Sequence, residues 1–188
     1  MNKSLEEIIL DLVQLFKPYL KGLNSVLDIG TGTSIPIHVF AKVFPAISYS
    51  TVDVIDMRKR KELPFLLCDG KNLPFNNLEF DVSLLNETLH HCEDAESVLN
   101  EARRVAKSVY VIEHFPNPDS DINQLTQDEL DALSNFDMTC NIYNPFTEPS
   151  LYDLFEKTGL SVSERVEIPY YGEREIKKYF FKLGKQIS

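Results

Sequence analysis

Basic residues are in the minority in this chain. Lysine and arginine number 19 against 29 aspartates and glutamates, a net charge of −10. Phosphate backbones demand a basic surface, so nucleic acid is not the expected partner. Cysteine is scarce too. Cys68, Cys92 and Cys140 are widely spaced and form no Cys-x-x-Cys pair. That leaves no zinc framework and points to free thiols in a reducing compartment. No apolar run approaches the roughly 20 residues needed to span a bilayer. The first residues lack a basic-then-apolar signal pattern, because Glu6, Glu7 and Asp11 interrupt it. Repeats, low-complexity tracts and obvious linkers are also missing. The expectation is a cytoplasmic protein whose ligand is a neutral or cationic small molecule.

What is present is enough for one substantial core. The 188 residues are 43% apolar and 26% charged, ordinary for a single globular domain. The informative stretch is Ser25-Val26-Leu27-Asp28-Ile29-Gly30-Thr31-Gly32-Thr33-Ser34. It begins as an apolar run suited to a strand buried on both faces. It then turns through two glycines, where the backbone can take positive φ and a ligand meets no Cβ. Ile35, Ile37, Val39, Phe40 and Val43 follow as a buried helix. Strand, glycine turn and helix form the nucleotide-handling unit of doubly wound α/β folds. A dinucleotide fingerprint aligned on Gly30 and Gly32 requires a glycine where Ile35 stands, so an NAD-linked enzyme is a poor third reading.

Asp28-x-Gly30-x-Gly32-x-Ser34 resembles motif I of the class I S-adenosylmethionine-dependent methyltransferases, with Ser34 where a third glycine is usual. The downstream text extends the resemblance. Ile47 to Val54 reads as a second strand ending in Asp53, 25 residues after Asp28. A carboxylate there can accept both ribose hydroxyls of an adenosine. Asp56 is a nearby competitor beyond the strand end. Pro64 to Gly70 reads as a third strand, and its Asp69-Gly70 leading to Leu73-Pro74-Phe75 is similar to the ubiquinone/menaquinone-type small-molecule methyltransferases. Phe80 to Asn86 is a fourth strand, followed by Leu89-His90-His91. The resemblance implies that Asp28, Gly30, Thr31, Gly32, Asp53, Val54, Asp69, Gly70 and Asn86 hold S-adenosyl-L-methionine, with S-adenosyl-L-homocysteine as product. It also implies methyl transfer to a small-molecule acceptor. The catalytic assignment stays open among His90, His91 and His114. No metal is expected, because adjacent residues on a helix or strand do not face one site.

The rest of the chain fits the same order. Residues 1–22 read as an N-terminal helix opened by a capping box at Ser4-Leu5-Glu6-Glu7. Arg58-Lys59-Arg60-Lys61 leaves room for one or two helical turns before the third strand, mostly as a solvated face. Ala95 to Val105 is a helix, and Val109 to Glu113 a fifth strand leading to His114. Residues 117–146 read as an acidic insertion or lid. Within it Thr126 to Glu129 has capping-box spacing, and Phe136, Met138, Tyr143 and Phe146 are candidates to line an apolar acceptor site. A helix capped by Thr147 ends at Gly159. Ser161 to Ile168 and Tyr179 to Leu183 close the chain, and Lys177, Lys178, Lys182 and Lys185 suggest a solvated strand edge. The expected fold is a single α/β domain: a doubly wound, mostly parallel seven-stranded sheet with an antiparallel edge hairpin and helices on both faces. The competing reading is a methyltransferase-like module that binds cofactor or partner without turnover. Monomer and dimer remain equally open.

Overall fold

The computed structural model describes residues 5–116, 120–134, 141–169 and 176–186. Seven strands form one sheet: β1 (Ser25–Ile29), β2 (Ser48–Asp53), β3 (Phe65–Leu67), β4 (Phe80–Asn86), β5 (Ala106–Pro116), β6 (Leu160–Ile168) and β7 (Ile176–Lys185). Their order is β3-β2-β1-β4-β5-β7-β6. β1 pairs in parallel with both β2 and β4, and β7 runs antiparallel between β5 and β6. This is the expected doubly wound, mostly parallel seven-stranded sheet with an antiparallel pair at one edge. The order reverses at β1, the topological switch point at which open α/β sheets bind ligands beyond the strands' carboxyl ends.

Alternation along the strands divides the core in two. Leu27, Ile29 and Leu85 belong to the face covered by α3 (Ala95–Val105) and α5 (Glu148–Lys157), whose Leu99, Ala102, Leu151 and Phe155 are buried. Val26, Val82 and Leu84 belong to the opposite face, under α1 (Leu5–Leu20) and α2 (Ile35–Val43). In α1 the residues Ile9, Val13, Phe16 and Leu20 recur every three or four positions, so they share the inward stripe. Phe16 packs edge-on against Phe180 of β7 at 4.5 Å. Pro18 is accommodated inside the last turn of α1, and the proposed cap at Ser4 lies outside the described residues.

Four expectations need correction. No helix forms between β2 and β3 among the described residues; instead Asp56 folds back on Arg58 at 2.9 Å. Thr126 is not a helix cap. It lies inside α4 (Ile122–Ser134), where its hydroxyl bonds the Ile122 carbonyl, and Asp121 accepts the Asn123 amide at the true start. The fifth strand is longer than the apolar run implies, because its flanking residues Ala106 to Ser108 and His114 to Pro116 are held by neighbouring strands. The basic strand β7 is not an edge. β6 covers it, with Lys182 3.2 Å from Glu164 of β6 and Lys178 3.2 Å from Glu87. Thr147 does cap α5, accepting the Ser150 amide in a reciprocal capping box, and Gly159 takes φ +64° just past its end. No described helix is long and apolar enough to cross a membrane.

Candidate active site

At the carboxyl ends of β1, β2 and β4 lies a cavity of about 690 Å³. The glycine turn forms its floor. Gly30 has φ +76° and Gly32 φ +51°, both in the left-handed region that glycine enters without penalty. A Cβ on Gly30 would stand 2.3 Å from the Thr88 methyl, so Thr88 and the turn are packed for a residue with no side chain. Thr88 in turn donates to the Ile29 carbonyl at 3.1 Å. Ser34, at the position of the third glycine, also has a left-handed φ of +59°. Its hydroxyl donates to the Arg60 carbonyl at 2.5 Å and accepts the Arg60 amide at 3.3 Å. Lys59 donates its amide to the Thr33 carbonyl at 2.8 Å. The helix-free crossing between β2 and β3 is thereby stitched to the glycine turn.

The structure gathers all nine expected cofactor contacts, Asp28, Gly30, Thr31, Gly32, Asp53, Val54, Asp69, Gly70 and Asn86, around this one cavity. Asp53 accepts the Gly32 amide on Oδ2 at 2.8 Å and the Val54 amide on Oδ1 at 2.7 Å, which leaves lone pairs for further donors. Asp28 is buried. Burial first, then the Asp53 charge, lift its carboxyl to about 7. Asn86 Oδ1 is buried with no hydrogen-bond partner among the described residues. Asp28, Asp53, Asp69, Glu87, Glu93, Asp94 and Glu129 all line the cavity, against Lys71 alone among the cationic lysines and arginines. Such a lining favours a cation and opposes polyanions such as dinucleotides.

The three candidate histidines separate. His91 lines the large cavity. Its Nδ1 lies 2.8 Å from the Asn141 carbonyl, which fixes the proton on that nitrogen and leaves Nε2 with a lone pair. Burial and the neighbouring His90 push its pKa down. His90 and His114 instead line a small adjoining cavity under α4. Sequence reasoning missed the carboxylates that hold them. His90 Nδ1 is 2.6 Å from Glu113, and His114 Nδ1 is 2.8 Å from Glu87. Glu129 of α4 reaches both rings, 3.4 Å from His90 Nε2 and 3.2 Å from His114 Nε2. Burial would lower both imidazoles, but the surrounding carboxylates outweigh it. His90 rises well above its ordinary value and His114 to about 10. The signal for this network was available in Glu113, a carboxylate inside the apolar run of β5, which survives full burial only when paired.

Of the expected acceptor-side residues, Tyr143 lines the large cavity and Phe146 the small one, whereas Phe136 and Met138 lie outside the described residues. Comparison with known proteins bears on the same elements. Residues 27–112, running from β1 into β5, match the family described as methyltransferase domain. The matched stretch holds the glycine turn and the carboxyl ends of β1, β2 and β4. Around it the fold extends over nearly the whole chain. The structure of 1,6-didemethyltoxoflavin-N1-methyltransferase from Burkholderia thailandensis is 16% identical with a TM-score of 0.69, covering 96% of this chain and 79% of that one. Geranyl diphosphate C-methyltransferase from Streptomyces coelicolor is 13% identical with a TM-score of 0.71, covering 96% and 80%. An S-adenosylmethionine-dependent methyltransferase from Methanosarcina mazei is 15% identical with a TM-score of 0.68, covering 92% and 98%. At these identities the likeness is one of fold. No curated protein matches the sequence. Within the matched stretch the cavity sits over the glycine turn, and α4, outside that stretch, adds Glu129 to its wall.

Proposed function

We propose that this protein binds S-adenosylmethionine and transfers its methyl group to a small-molecule acceptor. The observation that carries the reading is the acidic cavity over the glycine turn. S-adenosylmethionine brings a sulfonium and an ammonium, and seven carboxylates with one lysine make a wall suited to both. The residues present fit the group in other respects. The volume falls in the range of small-molecule sites, and the partnerless Asn86 Oδ1 is an acceptor awaiting a donor such as an ammonium. Asp53 retains lone pairs for ribose hydroxyls, and Asp69-Gly70 would meet the adenine.

When bound, the cofactor supplies a methyl carbon already activated by the sulfonium for in-line displacement by an acceptor lone pair. The protein's share is alignment and exclusion of water. Alignment alone is worth effective molarities on the order of 10⁵ M or more. His91, whose Nε2 carries a lone pair at the cavity wall, is the histidine placed to receive a proton from an oxygen or nitrogen acceptor. The described part of the expected insertion, α4 with Tyr143, would cover the acceptor side, and the N-terminal helix contributes Leu12 to the cavity. The acidic wall also argues against a diphosphate-bearing acceptor.

Calorimetric titration with S-adenosylmethionine, S-adenosylhomocysteine and NAD tests the reading, with Asp53→Ala as control. Micromolar binding of the two sulfur nucleosides alone, lost in the variant, is expected. Methyl release to candidate acceptors then separates an enzyme from a module that binds without turnover. Failure to bind either nucleoside overturns the proposal.

A further inference from the structure

The 3₁₀ turn Leu89–His91 places the rings of His90 and His91 4.0 Å apart, so these neighbours do approach one point. A donor atom from each of His90, His91 and Glu129 lies within 4.8 Å of the other two. His90 is 3% exposed, and its Nε2 is buried facing Glu129 Oε1 at 3.4 Å. Two ligands about 2.1 Å from a tetrahedral ion stand about 3.4 Å apart. The spacing is therefore already that of a coordination edge.

The far side of each ring is prepared for the same task. Glu113 holds His90 Nδ1 at 2.6 Å, and the Asn141 carbonyl holds His91 Nδ1 at 2.8 Å. A metal-ligating histidine is ordinarily held in this way, with one nitrogen anchored by a carboxylate or carbonyl and the other turned toward the ion. Carboxylates surround the point as well: Glu113 on His90 Nδ1, Glu129 beside Nε2 of both His90 and His114, and Glu87 on His114, with the Lys178 ammonium against Glu87.

We infer that His90, His91 and Glu129 form a site for a divalent first-row transition ion in the wall of the large cavity. Two imidazoles and one carboxylate select zinc, cobalt, manganese or iron over magnesium. Three protein ligands leave positions open, the mark of a site that takes an exogenous ligand rather than a purely structural one. His91 and Glu129 line the cavity, so those positions face its contents. The ion's role in orienting an oxygen-bearing acceptor rests on the methyl-transfer reading, in which an ion on His91 Nε2 takes the place of that nitrogen as the group receiving the acceptor's electron density. The site itself does not.

The test is titration of the full chain with Co²⁺ in the absence of any nucleoside, followed by its visible absorption, with Zn²⁺ as competitor. One Co²⁺ per chain, displaced by Zn²⁺, is expected. The affinity should fall by at least about 100-fold in Glu129→Gln and in His91→Ala, with thermal melts confirming that each variant folds. If Glu129→Gln does not fold, His91→Ala, at the less buried of the two histidines, is the deciding variant. Absence of Co²⁺ binding up to millimolar concentration, or binding unchanged in the folded variants, overturns the inference. Because no nucleoside is present, failure here is distinguishable from failure of the cofactor to bind.

Discussion

The Asp53 carboxylate at the end of β2 accepts the Gly32 amide at 2.8 Å, so the residue expected to hold a ribose also braces the turn expected to lie beneath the cofactor. Replacing Asp53 should therefore have two effects. Asp53→Asn, which has a donor where one acceptor oxygen was, should cost about 1 kcal/mol in chemical denaturation. It should also weaken S-adenosylmethionine binding by at least about tenfold, since a charge-assisted hydrogen bond is lost. Denaturation and calorimetry on one preparation separate the two; unchanged affinity would remove Asp53 from the site.

Asp28 sets a pH dependence. Its carboxyl titrates at about 7 in the folded protein against an ordinary 3.8, raised by burial and then by Asp53. The folded state thus binds this proton more tightly than the unfolded chain does. The associated stability is full below the ordinary value and is lost as pH rises through about 7. Asp28→Asn carries no such charge. The variant should match the wild type near pH 4 and exceed it by up to about 4 kcal/mol at pH 8, read by denaturation across pH. A cationic ligand should narrow the gap at high pH.

Ser34 accepts left-handed strain and gains two hydrogen bonds to Arg60. Ser34→Ala keeps the strain and loses the bonds, a cost of about 1–2 kcal/mol. Ser34→Gly relieves the strain while losing the same bonds, so its stability should lie within about 1 kcal/mol of wild type. Thermal melts of the three proteins should rank alanine lowest. A glycine variant as unstable as the alanine one would show that strain contributes nothing.

Gly30→Ala drives a methyl against Thr88 Cγ2 and Oγ1, in a backbone conformation that already disfavours it. The expected loss exceeds about 2 kcal/mol. Gly30→Ala combined with Thr88→Ala should recover part of it, because the overlap disappears and the positive φ remains. Additive losses would contradict the packing between the two residues.

Much of this was legible in the chain, for physical reasons that differ by residue. The Asp28-Gly30-Gly32 turn is a local pattern and reads directly. Asp53, Asp69 and Asn86 read because parallel strands send their carboxyl ends to one side of the sheet. The helix-free crossing after Asp53 did not read, because its tether is Ser34 on another element. Thr126 misled because a serine or threonine three residues before a glutamate also occurs inside helices, where the hydroxyl bonds the carbonyl one turn back. The carboxylate partners of His90 and His114 were hidden in long-range contacts. Glu129 meets them only after α4 folds over the end of β5.

The placement of β7 between β5 and β6 has a consequence for the order in which the molecule is made. β6 is synthesised before β7, yet joins the sheet only through it. A nascent chain that has emerged as far as β6 leaves β5 with one flank open and β6 with no place on the sheet. Pairings so distant in sequence also form slowly. The parallel strands β1 to β4 can assemble early, but Lys178 of β7 is the ammonium facing Glu87, so the charge network beneath α4 closes only with β7. Until then the growing polypeptide carries an assembled glycine turn beside an unfinished acidic cluster and an unpaired edge, the state most exposed to chaperones and to aggregation.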